Sequence, residues 1–222
     1  MKQVTKSTLV KIVRTNLDEL GVNDSMMLGG ADDAMLDDII WNVAGECADE
    51  IHSAAPVQLL DGESLVAQDS DYDMSKITVG ESNAKVLLVP IENVIRLVAF
   101  KAKDSDYVVT DTIPEASPEG RMQLDPILCG TYDDPKAVMR QGSSDSDATM
   151  KYYSLKDELG EDESAASKVE KLSVIFRQFG KTDSVKVADN VASNFYDLVT
   201  AKVLTIMGDQ RAQEYYNKAK FV

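Results

Sequence analysis

A chain of 222 residues, 44% hydrophobic and 27% charged, can bury a sizeable core without disulfides, and its longest apolar run falls short of the roughly 18 residues a membrane span needs. Its 38 acids against 23 bases leave a net charge of −15, which repels nucleic-acid phosphate over most of the surface and excludes sequence-specific DNA binding as the expected role. The single histidine, His52, excludes by count a two-histidine metal site or a paired-imidazole acid–base mechanism. Cys47 and Cys129 form no C-x-x-C and are expected as buried free thiols.

Residues 1–6 lack an apolar leader, so synthesis and folding in a cytoplasm are expected. Leu9, Val10, Ile12, Val13, Leu17 and Leu20 then form a helical stripe, capped by Thr5 or Ser7 and closed at Gly21. After a short loop with Gly29 and Gly30, Asp32 or Asp33 can cap a second helix. Its stripe runs through Leu36, Ile39, Ile40, Val43, Ala44, Cys47 and Ile51 until Pro56 stops it. The two helices read as an antiparallel hairpin. His52, near the end of the second, is expected as a surface or capping imidazole that the helix dipole favours in its charged form.

From residue 57 to about 179 the pattern changes to short β-rich runs divided by Gly, Pro, Asp and Ser: 77–79, 85–89, 95–101, 137–140, 149–155 and 172–179. Pro90 pushes Val89 toward extended backbone, so one run should end there, the chain turn through residues 91–94, and a strand buried on both sides begin near Ile95. The runs flanking residues 142–147 read as a hairpin with a long polar tip. Helical spacing returns with Ala188, Val191, Ala192, Phe195, Leu198, Val199, Val203 and Met207, ending at Gly208, and Asp209 can cap a last helix carrying Ala212, Tyr215, Tyr216 and Ala219. The expected fold is α+β: an N-terminal helical hairpin (1–56), a central antiparallel or mixed sheet of short strands (57–182), and a long helix plus a short one (183–222) that shares a domain with the N-terminal helices.

No motif assembles a reaction. Asp69-Ser70-Asp71-Tyr72-Asp73 opens like a calcium loop, but Met74 replaces the required Gly and Gly80 the bidentate Glu, so a solvated acidic loop is expected. Gly180-Lys181-Thr182 matches the end of a phosphate-binding loop, yet Ile175 occupies the first Gly position, and a strand-to-helix turn explains the triplet. No catalytic, cofactor or metal residues are assigned. The candidate interface residues are the bases Lys6, Lys11 and Arg14, the acids Asp69, Asp71 and Asp73, and the rings Tyr152, Tyr215 and Tyr216. In Tyr152-Tyr153 and Tyr215-Tyr216, neighbouring rings fall on different faces, one inward and one outward. Solubilising charge is the plain alternative for the acidic and basic clusters.

Three segments carry a resemblance. Val89-Pro90-Ile91-Glu92-Asn93-Val94-Ile95-Arg96-Leu97-Val98-Ala99-Phe100-Lys101 gives a strand, a Pro, a short turn, then Arg-Leu-Val and an aromatic. Residues 130–140 add Asp134-Pro135 and Ala137-Val138-Met139, and Asn194-Phe195-Tyr196-Asp197-Leu198-Val199-Thr200-Ala201-Lys202-Val203-Leu204 gives a closing apolar helix. Taken in order, over about two-thirds of the chain, they resemble the head-to-tail connector, or adaptor ring, proteins of short-tailed crAss-like phages. Asn93 and Val94 depart from the family's more usual acid and aromatic, and residues 61–73 and 157–163 look like acidic elaborations, the second expected to be mobile. The resemblance implies a virion structural subunit in a homo-oligomeric, dodecameric ring at the neck or tail, assembled in the host cytoplasm. Its partners would be the portal, touched by the basic first helix, further ring proteins, and genomic DNA passing an acidic wall, with no membrane involved. The rival readings are a protein-binding adaptor unconnected with virions and a hydrolase working through loop aspartates.

Overall fold

The computed structural model describes residues 1–19, 31–65, 74–80, 83–103, 105–125, 127–140, 148–160, 163–181 and 183–221. The chain is α+β and divides into two compact units, residues 1–61 with 177–222, and residues 62–176. The sequence placed those borders at 56/57 and 182/183.

In the first unit, strand β1 (Lys2–Thr5) leads directly into helix α1 (Lys6–Glu19), whose first turn is capped where Thr5 Oγ1 accepts the Thr8 N–H at 3.4 Å. Gly21 and the Gly29–Gly30 pair lie outside the described residues. Helix α2 (Ala31–Ala54) already contains Asp32 and Asp33, so neither stands ahead of it as a cap, and Pro56 follows its end as expected. Helix α4 (Ala192–Ile206) packs against α1, α2 and the short α5 (Ala212–Ala219). Their buried stripes meet: Leu9, Val13 and Leu17 of α1, Ile40, Ala44, Cys47 and Ile51 of α2, and Phe195, Leu198, Val199 and Val203 of α4. Asp209 stands at the turn before α5, where its carboxylate accepts the Arg211 N–H at 2.9 Å and pairs with the Arg211 guanidinium.

Four short strands escaped the sequence reading, two of them in this unit. β1 pairs antiparallel with β10 (Ser184–Val187), Lys2 opposite Val187 and Thr5 opposite Ser184, so Gly180 lies in a strand-to-strand connection, not a strand-to-helix turn. That connection is clamped to α2. Asp49 accepts the backbone N–H groups of Gln178 and Phe179 at 2.6 and 3.1 Å, and one turn earlier a Cβ on Gly45 would sit 2.7 Å from the Gln178 carbonyl oxygen.

The second unit holds two sheets. β3 (Thr78–Gly80), β4 (Asn83–Pro90), β8 (Thr149–Tyr153), β7 (Lys136–Arg140) and β6 (Ile113–Pro114) lie in the order β3-β4-β8-β7-β6. β2 (Glu63–Leu65), β9 (Val169–Phe176) and β5 (Val94–Ala102) form the other, in the order β2-β9-β5. β7 and β8 form the expected antiparallel pair around residues 141–147, which lie outside the described residues.

The strands flanking Pro90 do not pair with each other. β4 bonds to β3 and β8, and β5 bonds to β9, so the turn carries the chain from one sheet into the other. Pro90 belongs to β4, opposite Thr149. β3 reaches only to Leu88, so the missing Pro N–H breaks no ladder on that side. Alternation then assigns faces. Leu87, Val89, Met150, Tyr152, Ala137 and Met139 share one buried cluster with Leu97, Phe100, Leu172 and Val174 of the other sheet, while Val86, Val138 and Tyr153 form a smaller cluster on the opposite face.

Leu97 is wholly buried in that shared core. Leu97→Ala should lower unfolding stability by about 2–5 kcal/mol, read as a lower denaturant midpoint at unchanged slope. Asn93 turns the chain at φ 56°, in the left-handed region that Asn and Gly tolerate and β-branched residues do not. Asn93→Gly is expected to fold at near wild-type stability, whereas Asn93→Val should cost roughly 1–2 kcal/mol in the same measurement.

Candidate functional site

Two of the three basic residues assigned to an interface are already committed within their own unit. Lys6 Nζ donates to Asp38 Oδ1 at 2.6 Å, and Arg14 places Nε and Nη2 at 2.9 and 2.7 Å from Asp37 Oδ1. They tie α1 to the first turns of α2, each pair contributing about 0–1 kcal/mol at such exposure. Lys11 is exposed and makes no ion pair among the described residues. Asp69, Asp71 and Asp73 lie outside the described residues.

The tyrosines divide differently from the expectation. Tyr152 is wholly buried, its ring 4.6 Å from that of Phe100, and Tyr153 on the opposite face is buried too, because both faces of the five-stranded sheet are covered. Neither ring is therefore available on the unit's surface, which corrects the placement of Tyr152. Tyr215 is also buried, lying under the Lys218 ammonium at 4.5 Å, with its hydroxyl donating to the Asn16 carbonyl at 3.5 Å. Tyr216, one residue on and about 100° around the helix, stays partly exposed, with its hydroxyl 3.4 Å from Thr205 Oγ1. The acidic stretch at 157–163 is tied down at its described end, where Glu163 Oε2 pairs with Lys168 at 2.8 Å and accepts the Gly160 N–H at 3.1 Å.

The most conspicuous surface feature is one the sequence reading passed over. Met122, Leu124, Ile127 and Leu128 are all exposed, Ile127 to 89%, within one short segment that starts at the last residue of helix α3 (Pro118–Met122). Their display is not a fraying loop. Ser117 Oγ caps α3 by accepting the Gly120 N–H at 3.0 Å, and Gly120 packs so closely on β6 that a Cβ there would lie 2.2 Å from the Pro114 carbonyl oxygen. At the far end the buried Gln123 Oε1 accepts the Gly130 N–H at 2.7 Å, and Asp125 accepts the Ile127 N–H at 2.8 Å through its side chain and the Cys129 N–H at 2.9 Å through its carbonyl. Four large apolar side chains in seven residues, too few to sustain either a strand or a helix period and bracketed by Gly120 and Gly130, were the available signal.

In the same unit, Ile95, Thr112, Pro114, Ala116, Met139 and Arg140 line an open groove of about 450 Å³. Glu115 stands in it, bonded by Lys151 Nζ at 2.5 Å and 3.6 Å from the Arg140 guanidinium. Among the described residues no three His, Cys, Asp or Glu side chains gather to hold a metal ion, and no helix is long and apolar enough to cross a membrane. Comparison of the chain with protein-family models, with curated proteins and with solved structures gives no match.

His52 and Cys47 belong to the core, whereas Cys129 departs from the buried thiol expected. Cys47 is buried, which pushes its thiol up to about 12, while Cys129 is only partly buried against the outer cluster. His52 is wholly buried and its Nε2 accepts the Ala188 N–H at 3.2 Å, a neutral acceptor in place of the charged surface imidazole expected. Burial pulls its pKa from 6.5 down to about 4, with nearby Asp61 opposing. Between those values the unfolded chain binds a proton that the folded chain refuses, so the fold loses about 1.4 kcal/mol per pH unit as pH falls through that window, and nothing above it. His52→Gln should flatten that part of the stability-versus-pH curve, read as the difference between the two proteins' denaturant midpoints from pH 7 to 4. Parallel curves would show that His52 titrates normally.

Proposed function

We propose that this chain is a virion structural protein, a head-to-tail connector subunit that joins the portal to the next neck or tail component in a ring, twelvefold by resemblance, and lines a DNA passage. The observation that carries its assembly role is the braced segment at 122–128, which holds four large apolar side chains in solvent on a chain that is otherwise strongly acidic. Monomeric proteins seldom keep a contiguous apolar patch of a few hundred Å² without using it to bind a partner. Fixed backbone geometry lowers the entropy cost of docking, as a subunit that must seat reproducibly requires.

The connector reading itself rests on the three resembling segments. The first is the crossing between sheets, the second runs from Gly130 into β7, and the third is the greater part of α4. The acid excess supports the passage role, because an acidic wall repels phosphate and keeps DNA from adhering.

The test is assembly on the portal. Purified chain mixed with its cognate portal protein should form a closed ring on the portal, visible by electron microscopy and as a discrete mass increment. A chain that stays monomeric while both proteins are folded would overturn the reading. A free monomer without portal would not, since a ring can require its template.

A further inference from the structure

We infer that the β1–β10 pair is an acid-released latch, held closed by neutral His52 and freed when that imidazole takes up a proton. Every group involved lies in the first unit, and none depends on the connector reading. The joint where β10 runs on toward α4 is fastened through two consecutive backbone groups. His52 Nε2, in the last turn of α2, accepts the Ala188 N–H at 3.2 Å, and Asp61 Oδ1 accepts the Asp189 N–H at 3.1 Å. Ala188 and His52 are both wholly buried, so solvent offers neither a substitute partner. A neutral ring that accepts at Nε2 carries its proton on Nδ1, and the lone pair open to a second proton is the one that the Ala188 N–H occupies. An imidazolium has two N–H donors and no acceptor. His52 therefore cannot both ionise and hold Ala188.

The surrounding charges leave this exclusion in force. Asp61 favours the imidazolium, but its carboxylate is already engaged by the Asp189 N–H and by the Met1 ammonium at 2.7 Å, and burial outweighs it. On the held segment Lys186 and Asp189 are exposed; on β1, Lys2 lies over the Tyr196 ring; on α2, Glu46 and Glu50 are paired with Lys202 of α4. Asp49 clamps Gln178 and Phe179 at the other end of the segment, and burial holds its carboxyl above the usual range, so its own titration favours the closed form as pH falls, opposite in sign to His52. Among the described residues β1 and β10 form a sheet of two strands with four residue pairs, which is marginal without an anchor. Loss of the Ala188 fastening thus frees these strands and uncovers Val4, Val185 and Val187, while the helices keep their own core.

Native-state amide hydrogen exchange on the whole chain, corrected for the intrinsic pH dependence of exchange, provides the test. Between the ordinary histidine value of 6.5 and the folded value of about 4, protection in β1 and β10 should fall about tenfold per pH unit while protection in α4 holds. The His52 imidazole resonances should shift in step with that loss. His52→Gln, whose amide oxygen accepts an N–H without titrating, should make protection in β1 and β10 independent of pH. Should that variant fail to fold, the wild-type comparison of β1 and β10 with α4 decides alone. Protection in β1 and β10 that does not change with pH, an equal loss in α4, an imidazole that ionises while the Ala188 amide stays protected, or a folded His52→Gln chain that keeps the pH dependence would each overturn the latch.

Discussion

The second unit depends on burial between two sheets, and the contact that marks it is the Phe100 ring against Tyr152 at 4.6 Å. Phe100 comes from β5 in the three-stranded sheet and Tyr152 from β8 in the five-stranded one, so a single ring pair spans the layer. Such a pair contributes about 0.5–1.5 kcal/mol beyond the area it buries. Its larger effect is on register. With Tyr152 inward, Met150 must also face inward and Lys151 and Tyr153 the other way, which fixes β7 and β4 in turn. The Pro90–Asn93 turn serves the same layer by delivering consecutive strands to opposite sheets.

The first unit is built on a different principle. Its helices share one apolar centre around α4, and polar groups position the chain at its borders. Asp49 is the clearest case: its carboxylate takes two backbone N–H groups of the 177–180 connection, while Gly45 lets that backbone approach α2 directly. Lys6 and Arg14 act likewise on the first turns of α2. Bases that read in isolation as a free recognition patch are in large part internal fastenings, and the remaining exposed base on that helix face, Lys11, offers little field by itself.

Surface chemistry therefore concentrates elsewhere. The segment at 122–128 sets Met122, Leu124, Ile127 and Leu128 in solvent on an otherwise acidic chain. The bracing has a local cause in Ser117, Gly120, Gln123 and Asp125, none of which reaches the exposed side chains themselves. Display and bracing are thus carried by different residues, so the exposed positions can change without disturbing the fold.

Much of the α+β order was legible in the sequence, because periodicity reports which face of an element is buried. The stripes of α1, α2 and α4, the β7–β8 pair and the strands on either side of Pro90 all follow from that rule. The short β1 and β10 were not legible, since four-residue strands carry too few alternations and exist by pairing across nearly the whole chain, Lys2 with Val187 and Thr5 with Ser184. Tyr152 and His52 were misplaced for a related reason. Sequence spacing tells that a side chain faces one way, but only the tertiary structure decides whether that side meets water or a second layer. The apolar projection was missed on the same ground: a short run of Met, Leu and Ile reads as core until the fold shows it exposed among the described residues. Composition and pattern thus determined the elements, the charge and the absence of a recognisable catalytic motif, whereas exposure, a property of packing between distant segments, was decided by tertiary structure alone.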